Sequence, residues 1–208
     1  MAREAGRVGP NAITRVAEAL RAHRGERMCR EVFAAAGLTR HLEEPPTRMV
    51  AEEDVAALQR ALRARLGDPH AARISREAGK LTGDYLLAHR IPRPVQWLLR
   101  ALPAGLAARL LLATITRHAW TFTGSGTMRA EPGNPARVVI TGCPLSRGQR
   151  ADHPLCELYA MTLERLFTRL VHPATVVREV ACEGMGAPAC VFLISWRAAS
   201  AELRPAAT

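Results

Sequence analysis

Three thiols and a carboxylate cluster toward the C-terminus, and any fold for this chain has to account for them. The run Glu179-Val-Ala-Cys182-Glu-Gly-Met-Gly-Ala-Pro-Ala-Cys190 reads as a hairpin loop with Glu179, Cys182 and Cys190 at its mouth. A further thiol, Cys156, stands upstream in His153-Pro-Leu-Cys156-Glu, where a helix is expected to begin. Three sulfurs and one carboxylate oxygen complete the tetrahedral shell of zinc, and a structural zinc site fills all four positions from the protein. Such a site ties the start of one helix to the tip of one β-ribbon and leaves no position for catalysis.

The local geometry supports that set with one condition. If Val180 and Phe192 are paired on antiparallel strands, Cys182 and Cys190 face each other about 5.5 Å apart at their α-carbons. That spacing suits two thiolates on one metal at about 2.3 Å each. Cys156 in a first helical turn gains from unpaired amides and the helix dipole, which favour the thiolate. Strict alternation puts Glu179 on the opposite face from Cys182, so its participation requires a β-bulge near Ala181. Glu183, Glu157, Asp152 and His153 are rival donors. The alternative is that Cys182 and Cys190 are ordinary buried thiols or a hairpin disulfide. The five cysteines leave one thiol over in any paired scheme, and the first residues, Met-Ala-Arg-Glu-Ala-Gly-Arg, lack the apolar stretch of a secretory signal. The cytoplasm is therefore the expected compartment, where reduced thiols more often hold metal.

At 208 residues the chain can bury roughly 70 % of its unfolded surface without disulfides. Its net charge of +10 comes almost wholly from arginine, Lys80 being the single lysine. Basic residues are nowhere interleaved with aromatics, and no helix-turn-helix or zinc-finger spacing occurs, so nucleic acid is not an expected partner. Guanidinium forks match carboxylates, which points to carboxylate-bearing ligands and acidic protein partners. The longest apolar region, Val95 to Thr116, is interrupted by Arg100, Pro103 and Arg109 and falls short of the run of about 20 residues that spans a bilayer. It reads as a buried helix pair. The alternative is a peripheral membrane contact, with Trp97, Leu98, Leu102 and Leu106 dipping into the interface.

The first half is helical in pattern. Asn11 is a candidate cap for a helix carrying Ile13, Val16, Ala17 and Leu20, and a second helix is expected from Arg27 to Ala36. Glu43-Glu-Pro-Pro-Thr47 breaks the pattern before a third helix, Glu52 to Leu66. Its stripe of Val55, Leu58, Leu62 and Leu66 is either core or a dimer seam, and a homodimer is expected. A further helix, His70 to Arg90, contains Gly79 and Gly83, whose spacing admits close approach of another backbone or a ligand. After two short helices the period changes to two. Trp120 and Phe122 share one face of an expected strand, and Arg137 to Thr141 forms a second. Asp152-His153-Pro154 is expected to open a helix reaching Val171. The last two strands run from Thr175 to Cys182 and from Cys190 to Trp196, the final one apolar on both faces and so interior to its sheet. The fold class is α+β, N-terminal helices followed by an antiparallel sheet with helices packed on it. The expected division is a helical leader over 1–69, a domain carrying the cysteines over 70–197, and a tail over 198–208.

The run from Cys182 to Phe192, with Glu179 and Cys156 before it, resembles the C-terminal signature of the 4-vinyl reductase domain family, found in bacteriochlorophyll-synthesis proteins and in phenol-sensing activators. The resemblance covers roughly His70 to Trp196. It implies a zinc ion held by the matching Cys156, Glu179, Cys182 and Cys190. It also implies a fold similar to haem-based nitric-oxide sensors and TRAPP-like tethering subunits, which enclose a small-molecule pocket. The whole chain is similar to the stand-alone BchJ-type proteins of bacteriochlorophyll biosynthesis.

The family name implies reduction of a vinyl group on a chlorophyll precursor, which needs a hydride or electron source. Gly124-Ser-Gly126-Thr-Met-Arg129 lacks the third glycine of a dinucleotide loop and runs into Pro132-Gly133, with no helix to receive a pyrophosphate. The cysteine spacing fits no ferredoxin-type cluster. The expectation is therefore a binding protein that holds a magnesium-porphyrin or chlorophyllide intermediate and presents it to the bacteriochlorophyll biosynthetic enzymes. A vinyl reductase and a small-aromatic sensor are the alternatives. A bound tetrapyrrole requires an apolar wall with arginines at its rim. Trp97, Trp120 and Phe122 are candidate walls, and His89 or His118 a candidate axial or polar contact; each is equally readable as core or as a solvent-facing side chain.

Overall fold

A computed structural model describes residues 6–196, so the expected tail at 198–208 lies outside the described residues. A two-residue strand β1 (Arg7–Val8) leads into α1 (Asn11–Ala35), and the short α2 (Arg40–Glu43) is followed by β2 (Val50–Ala51), which pairs antiparallel with β1. Asn11 is the first helical residue rather than the cap; the carbonyl of Pro10 takes the first amides, from Ile13 and Thr14. Gly25, at φ 79°, breaks α1 into two segments. Only glycine adopts that angle without strain, and the bend buries Cys29, Val32 and Phe33 in the same core as Ile13, Val16 and Leu20.

The long helices α3 (Glu52–Leu66) and α4 (Asp68–His89) follow. Val55, Leu58 and Leu62 are completely covered within the chain, so the stripe on α3 is core packing. Next come α5 (Arg93–Ala101), α6 (Ala104–Arg117) and the single turn α7 (Trp120–Thr123). The expected strand through Trp120 and Phe122 is this turn instead. Thr121 and Thr123 return their hydroxyls to the carbonyls of His118 and Ala119, and the turn amides close on the same residues. Two aromatics at a spacing of two are too short a pattern to outweigh that local hydrogen bonding.

The sheet comprises β3 (Thr127–Glu131), β4 (Ala136–Thr141), β5 (Val176–Ala181) and β6 (Cys190–Ser195), with α8 (Glu157–Leu170) inserted between β4 and β5. All pairings are antiparallel, in the order β3-β4-β6-β5. The last strand is interior, as its two apolar faces require. Val138 and Phe192 are paired and buried, and Ala136 pairs with Ile194 on the same core face. Helix α8 starts at Glu157, several residues later than expected, because residues before a proline favour extended backbone and His153 precedes Pro154. The class is α+β, as the sequence implied, and residues on either side of the expected boundary at position 70 contribute to one continuous core.

Contact between α4 and α8 holds the two halves together. A β-carbon at Gly79 would lie 2.5 Å from the carbonyl oxygen of Leu158, and one at Gly83 2.6 Å from the β-carbon of Arg165. The absent side chains let the helices approach closely enough for Thr162 to donate to the carbonyl of Gly79 at 3.1 Å. Arg165 adds a forked pair of hydrogen bonds to Asp84, at 2.7 and 3.1 Å. At the other edge the buried carboxylate of Glu52 accepts the amide and hydroxyl of Ser125 at 2.8 and 2.6 Å and pairs with Arg147 at 2.6 Å. Burial raises the Glu52 carboxyl, but Arg147 and Ser125 outweigh it and hold the group below its ordinary range.

Gly79→Val drives a branched side chain into the backbone of α8, so the urea midpoint should fall by the equivalent of about 1–3 kcal/mol, the usual cost of overpacking. Gly105→Ala, on α6 where a β-carbon meets nothing within 4 Å, should leave the midpoint unchanged or raise it.

Candidate metal centre

The β5–β6 hairpin aligns its donors through one irregularity. Glu179 pairs with Phe192 and Ala181 with Val191, so Val180 is the extra residue of a β-bulge. The expected pairing of Val180 with Phe192 is corrected accordingly: the exposed Val180 bulges out. An extra residue reverses the alternation beyond it, and Glu179 thereby comes to the same side as Cys182. The chain then makes a single tight turn, Glu183–Met185, and re-enters the sheet at Cys190.

Cys156 is the N-cap of α8, and its own amide donates to the Glu179 carboxylate at 2.8 Å. Its sulfur lies 3.9 Å from that of Cys182 and 3.5 Å from that of Cys190, and Cys182 and Cys190 are 3.7 Å apart. For sulfurs about 2.3 Å from a tetrahedral ion the sulfur–sulfur edge is about 3.8 Å, close to all three separations. Donor atoms of Cys156, Glu179, Cys182 and Cys190 all lie within 4.8 Å of one another. The second carboxylate oxygen of Glu179, Oε1, is buried with no hydrogen-bond partner. A buried acceptor without a donor is uncommon, and here it lies beside three thiols. The residues present fit a divalent cation.

The rival donors are occupied elsewhere. Glu183 accepts the amides of Gly142 and Cys143 at 2.6 and 2.8 Å, Glu157 pairs with Arg63 at 3.0 Å, and Asp152 with His153 at 2.7 Å. The five cysteines are all free thiols, so there is no hairpin disulfide.

A further thiol joins the cluster. Cys143, in the loop after β4, is fully buried with its sulfur 3.5 Å from that of Cys156. The sequence pattern left it as the odd cysteine. The signal that locates it is the pairing of Ile140 with Cys190, three residues before it, and that pairing becomes visible only with the sheet order. In the metal-free chain burial pushes the Cys143 thiol up, but hydrogen bonds from Cys156, Cys190 and the amides of Leu145 and Ser146 outweigh it and hold it well below its ordinary range. Burial, its hydrogen bonds to the other three thiols and the charge on Cys143 push the Cys156 thiol well above its own. Glu179, raised by burial and by the neighbouring Cys182, is pushed up to about 8. Every group in the cluster is thus poised to share a positive charge.

The five residues expected to line a ligand pocket are not brought together. Trp97 is 69 % exposed and Trp120 61 %. His118 is exposed with Nδ1 against the carbonyl of Thr114, and exposed His89 packs on the ring of Tyr85. Phe122 is half-buried, edge-on to Tyr159. A cleft of about 990 Å³ lies elsewhere, between the start of α6, the β3–β4 turn and the end of β6. Leu106, Arg109, Pro135, His172 and Trp196 are among its walls.

The 4-vinyl reductase domain family matches residues 136–195, which span β4 to β6 and include the four clustered donors. The "Bacteriochlorophyll synthase 23 kDa chain" of Cereibacter sphaeroides is 47 % identical over 191 residues, 90 % of each chain. Its namesake from Rhodobacter capsulatus is 39 % identical, covering 90 % of this chain and 86 % of its own. Among solved structures, an H-NOX protein of K. algicida superposes with a TM-score of 0.58 over 93 % of this chain and 98 % of its own, at 11 % identity. An H-NOX protein of S. oneidensis gives 0.55, covering 92 % and 100 %, at 10 % identity. These similarities establish the fold as H-NOX-like. The chain carries a 4-vinyl reductase domain and belongs to the bacteriochlorophyll synthase 23 kDa chain family.

Proposed function

We propose that the chain takes part in bacteriochlorophyll biosynthesis as a carrier, binding a magnesium-porphyrin or chlorophyllide intermediate and passing it to the biosynthetic enzymes, with one zinc ion as a structural tie. The observation that carries this reading is the 47 % identity to a bacteriochlorophyll synthase chain over nine-tenths of both proteins. The cleft supports it. Its volume is in the range of small-molecule and cofactor sites, and it combines apolar Leu106, Pro135 and Trp196 with Arg109 and His172. That is what a flat apolar ring bearing carboxylates needs, with the guanidinium fork taking a carboxylate. Trp97, Trp120, Phe122, His89 and His118, outside that cleft, are secondary candidates for contact with a bound tetrapyrrole.

Cys156, Glu179, Cys182 and Cys190 would hold the zinc. With four protein donors the ion supplies cross-linking rather than a reactive position, and Cys143 supports it as a neighbouring thiol.

Purified protein titrated with protoporphyrin and its magnesium complex should shift the pigment absorbance and quench tryptophan emission at micromolar concentration, with no change in the vinyl groups. Arg109→Ala should weaken binding by about tenfold, roughly 1.4 kcal/mol. An unaltered spectrum counts against the carrier, and a reduced vinyl group with added reductant would favour a reductase.

Elemental analysis should find one zinc per chain, lost in a Cys156→Ser, Cys182→Ser double variant. The pH dependence follows from Glu179. Between its ordinary 4.5 and about 8 the folded metal-free chain keeps a proton that the unfolded chain has lost, so metal-free stability declines as pH rises through that window and carries no such penalty below it. Glu179→Gln should flatten this decline after chelation, seen by thermal melts at several pH values. In the same variant zinc affinity should fall by about tenfold or more, since a neutral amide replaces an anionic ligand.

A further inference from the structure

The helix pair α5–α6 departs most from its sequence reading, because it is not buried. In α5 only Gln96 and Leu99 point inward. At 100° per residue the opposite side is Pro94, Trp97, Leu98 and Ala101, all apolar and all exposed. Trp97 and Leu98 are 69 % and 57 % exposed. In α6 the inward residues are Ala107, Ala108, Leu111 and Leu112, and the outward side carries Leu106, Leu110 and Ala113. Two consecutive helices in mutual contact thus each present an apolar face to solvent. Single exposed leucines are ordinary; a tryptophan and several leucines together mark an interaction surface.

The charge around this surface selects its partner. Between Asp84 and Glu131 the sequence holds Arg90, Arg93, Arg100, Arg109, Arg117 and Arg129 and no acidic residue at all. Over the rest of the chain acids are frequent, and many arginines pair with them, as Arg15 does with Glu18 and Arg165 with Asp84. Neither α5 nor α6 contains a carboxylate to neutralise its arginines. Neither helix is long and apolar enough to cross a membrane. Apolar side chains led by an indole, flanked by arginines with no compensating acid, on helices too short to span, are what an element lying in the headgroup region of an anionic bilayer requires. A protein partner would need an acidic rim around an apolar centre, whereas an anionic lipid leaflet supplies both as one continuous surface.

We propose that α5 and α6 form a peripheral membrane-binding face that seats the protein on an anionic lipid bilayer, with Trp97, Leu98, Leu106 and Leu110 in the interface and Arg93, Arg100, Arg109 and Arg117 among the headgroups. Occupancy of this face does not depend on tetrapyrrole binding, so the two readings can fail separately.

The test is co-sedimentation of the full, metal-loaded chain with vesicles, without pigment. Vesicles of phosphatidylcholine alone are compared with vesicles containing one part phosphatidylglycerol to two parts phosphatidylcholine. The expected result is binding at least tenfold stronger to the anionic vesicles, weakened by salt and accompanied by a blue shift of tryptophan emission. Trp97→Ser, Leu98→Ser should abolish it while circular dichroism and zinc content stay unchanged, because both side chains are exposed; Arg93→Glu, Arg117→Glu should reduce it about tenfold. Equal binding to both vesicles, no binding, or binding retained in the Trp97→Ser, Leu98→Ser variant overturns the proposal. So does a self-association in sedimentation equilibrium that the same variant abolishes while vesicle binding is absent, since the face would then belong to a second copy.

Discussion

The first turn of α8 rests on the β5–β6 hairpin through one crowded polar contact, and the C-terminal half is arranged around it. The amide of Cys156 would otherwise be an orphan donor at a helix start; it is satisfied by Glu179, a carboxylate that itself needs a donor in a nearly dry place. Around that bond four thiols and the second carboxylate oxygen are packed with little else to satisfy them. Thiols donate and accept weakly, so without a cation the contact is a set of marginal hydrogen bonds between groups that repel once ionised. Raised Glu179 and Cys156 acidities both express that repulsion. A divalent ion reverses the sign, because each charge that was costly becomes a ligand.

Two other buried carboxylates fix the loops on either side of this contact. Glu183 takes two successive amides, from Gly142 and Cys143, and so sets the position of the fifth sulfur. Glu52, at the start of α3, takes the amide and hydroxyl of Ser125 together with the guanidinium of Arg147. Arg147 also donates to the carbonyl of Gly142, so the two carboxylates share one loop from opposite ends. Each acid is inside the protein because several donors converge on it, which is the condition for burying a charge at acceptable cost. Their effect is to hold the end of β4 at a fixed distance from β6.

The helices, the interior placement of β6 and the bulge beside Ala181 were legible because each rests on a local pattern: period, breaker residues, or the impossibility of putting Glu179 and Cys182 on one side of a regular strand. Cys143 was not, because its place depends on β4 lying next to β6, a pairing between segments some fifty residues apart with no mark in either. The turn at Trp120 was misread since two aromatics satisfy a period of two by chance. Trp97 and Trp120 were expected in a pocket because large aromatics are costly to expose. That reasoning assumes water on the outside, and it fails for α5, where the amphipathic pattern is strong but the apolar side is the outer one.

Strand β6 connects the parts. Cys190 opens it and Ser195 closes it, so the sulfur cluster and the cleft beside Trp196 lie at opposite ends of one strand, about 20 Å apart at the usual rise per residue. An ion at the first end cannot touch a molecule at the second. It can only hold the strand, and with it the position of Ser195 and Trp196 against the start of α6. The opposite wall of the cleft is made by Leu106 and Arg109, residues that also belong to the outward side of α6. The cleft is therefore bounded by a strand that the metal centre makes rigid and by a helix whose outer face is apolar and basic. In that geometry an apolar ring with carboxylates could pass between a lipid surface and the protein without crossing bulk water.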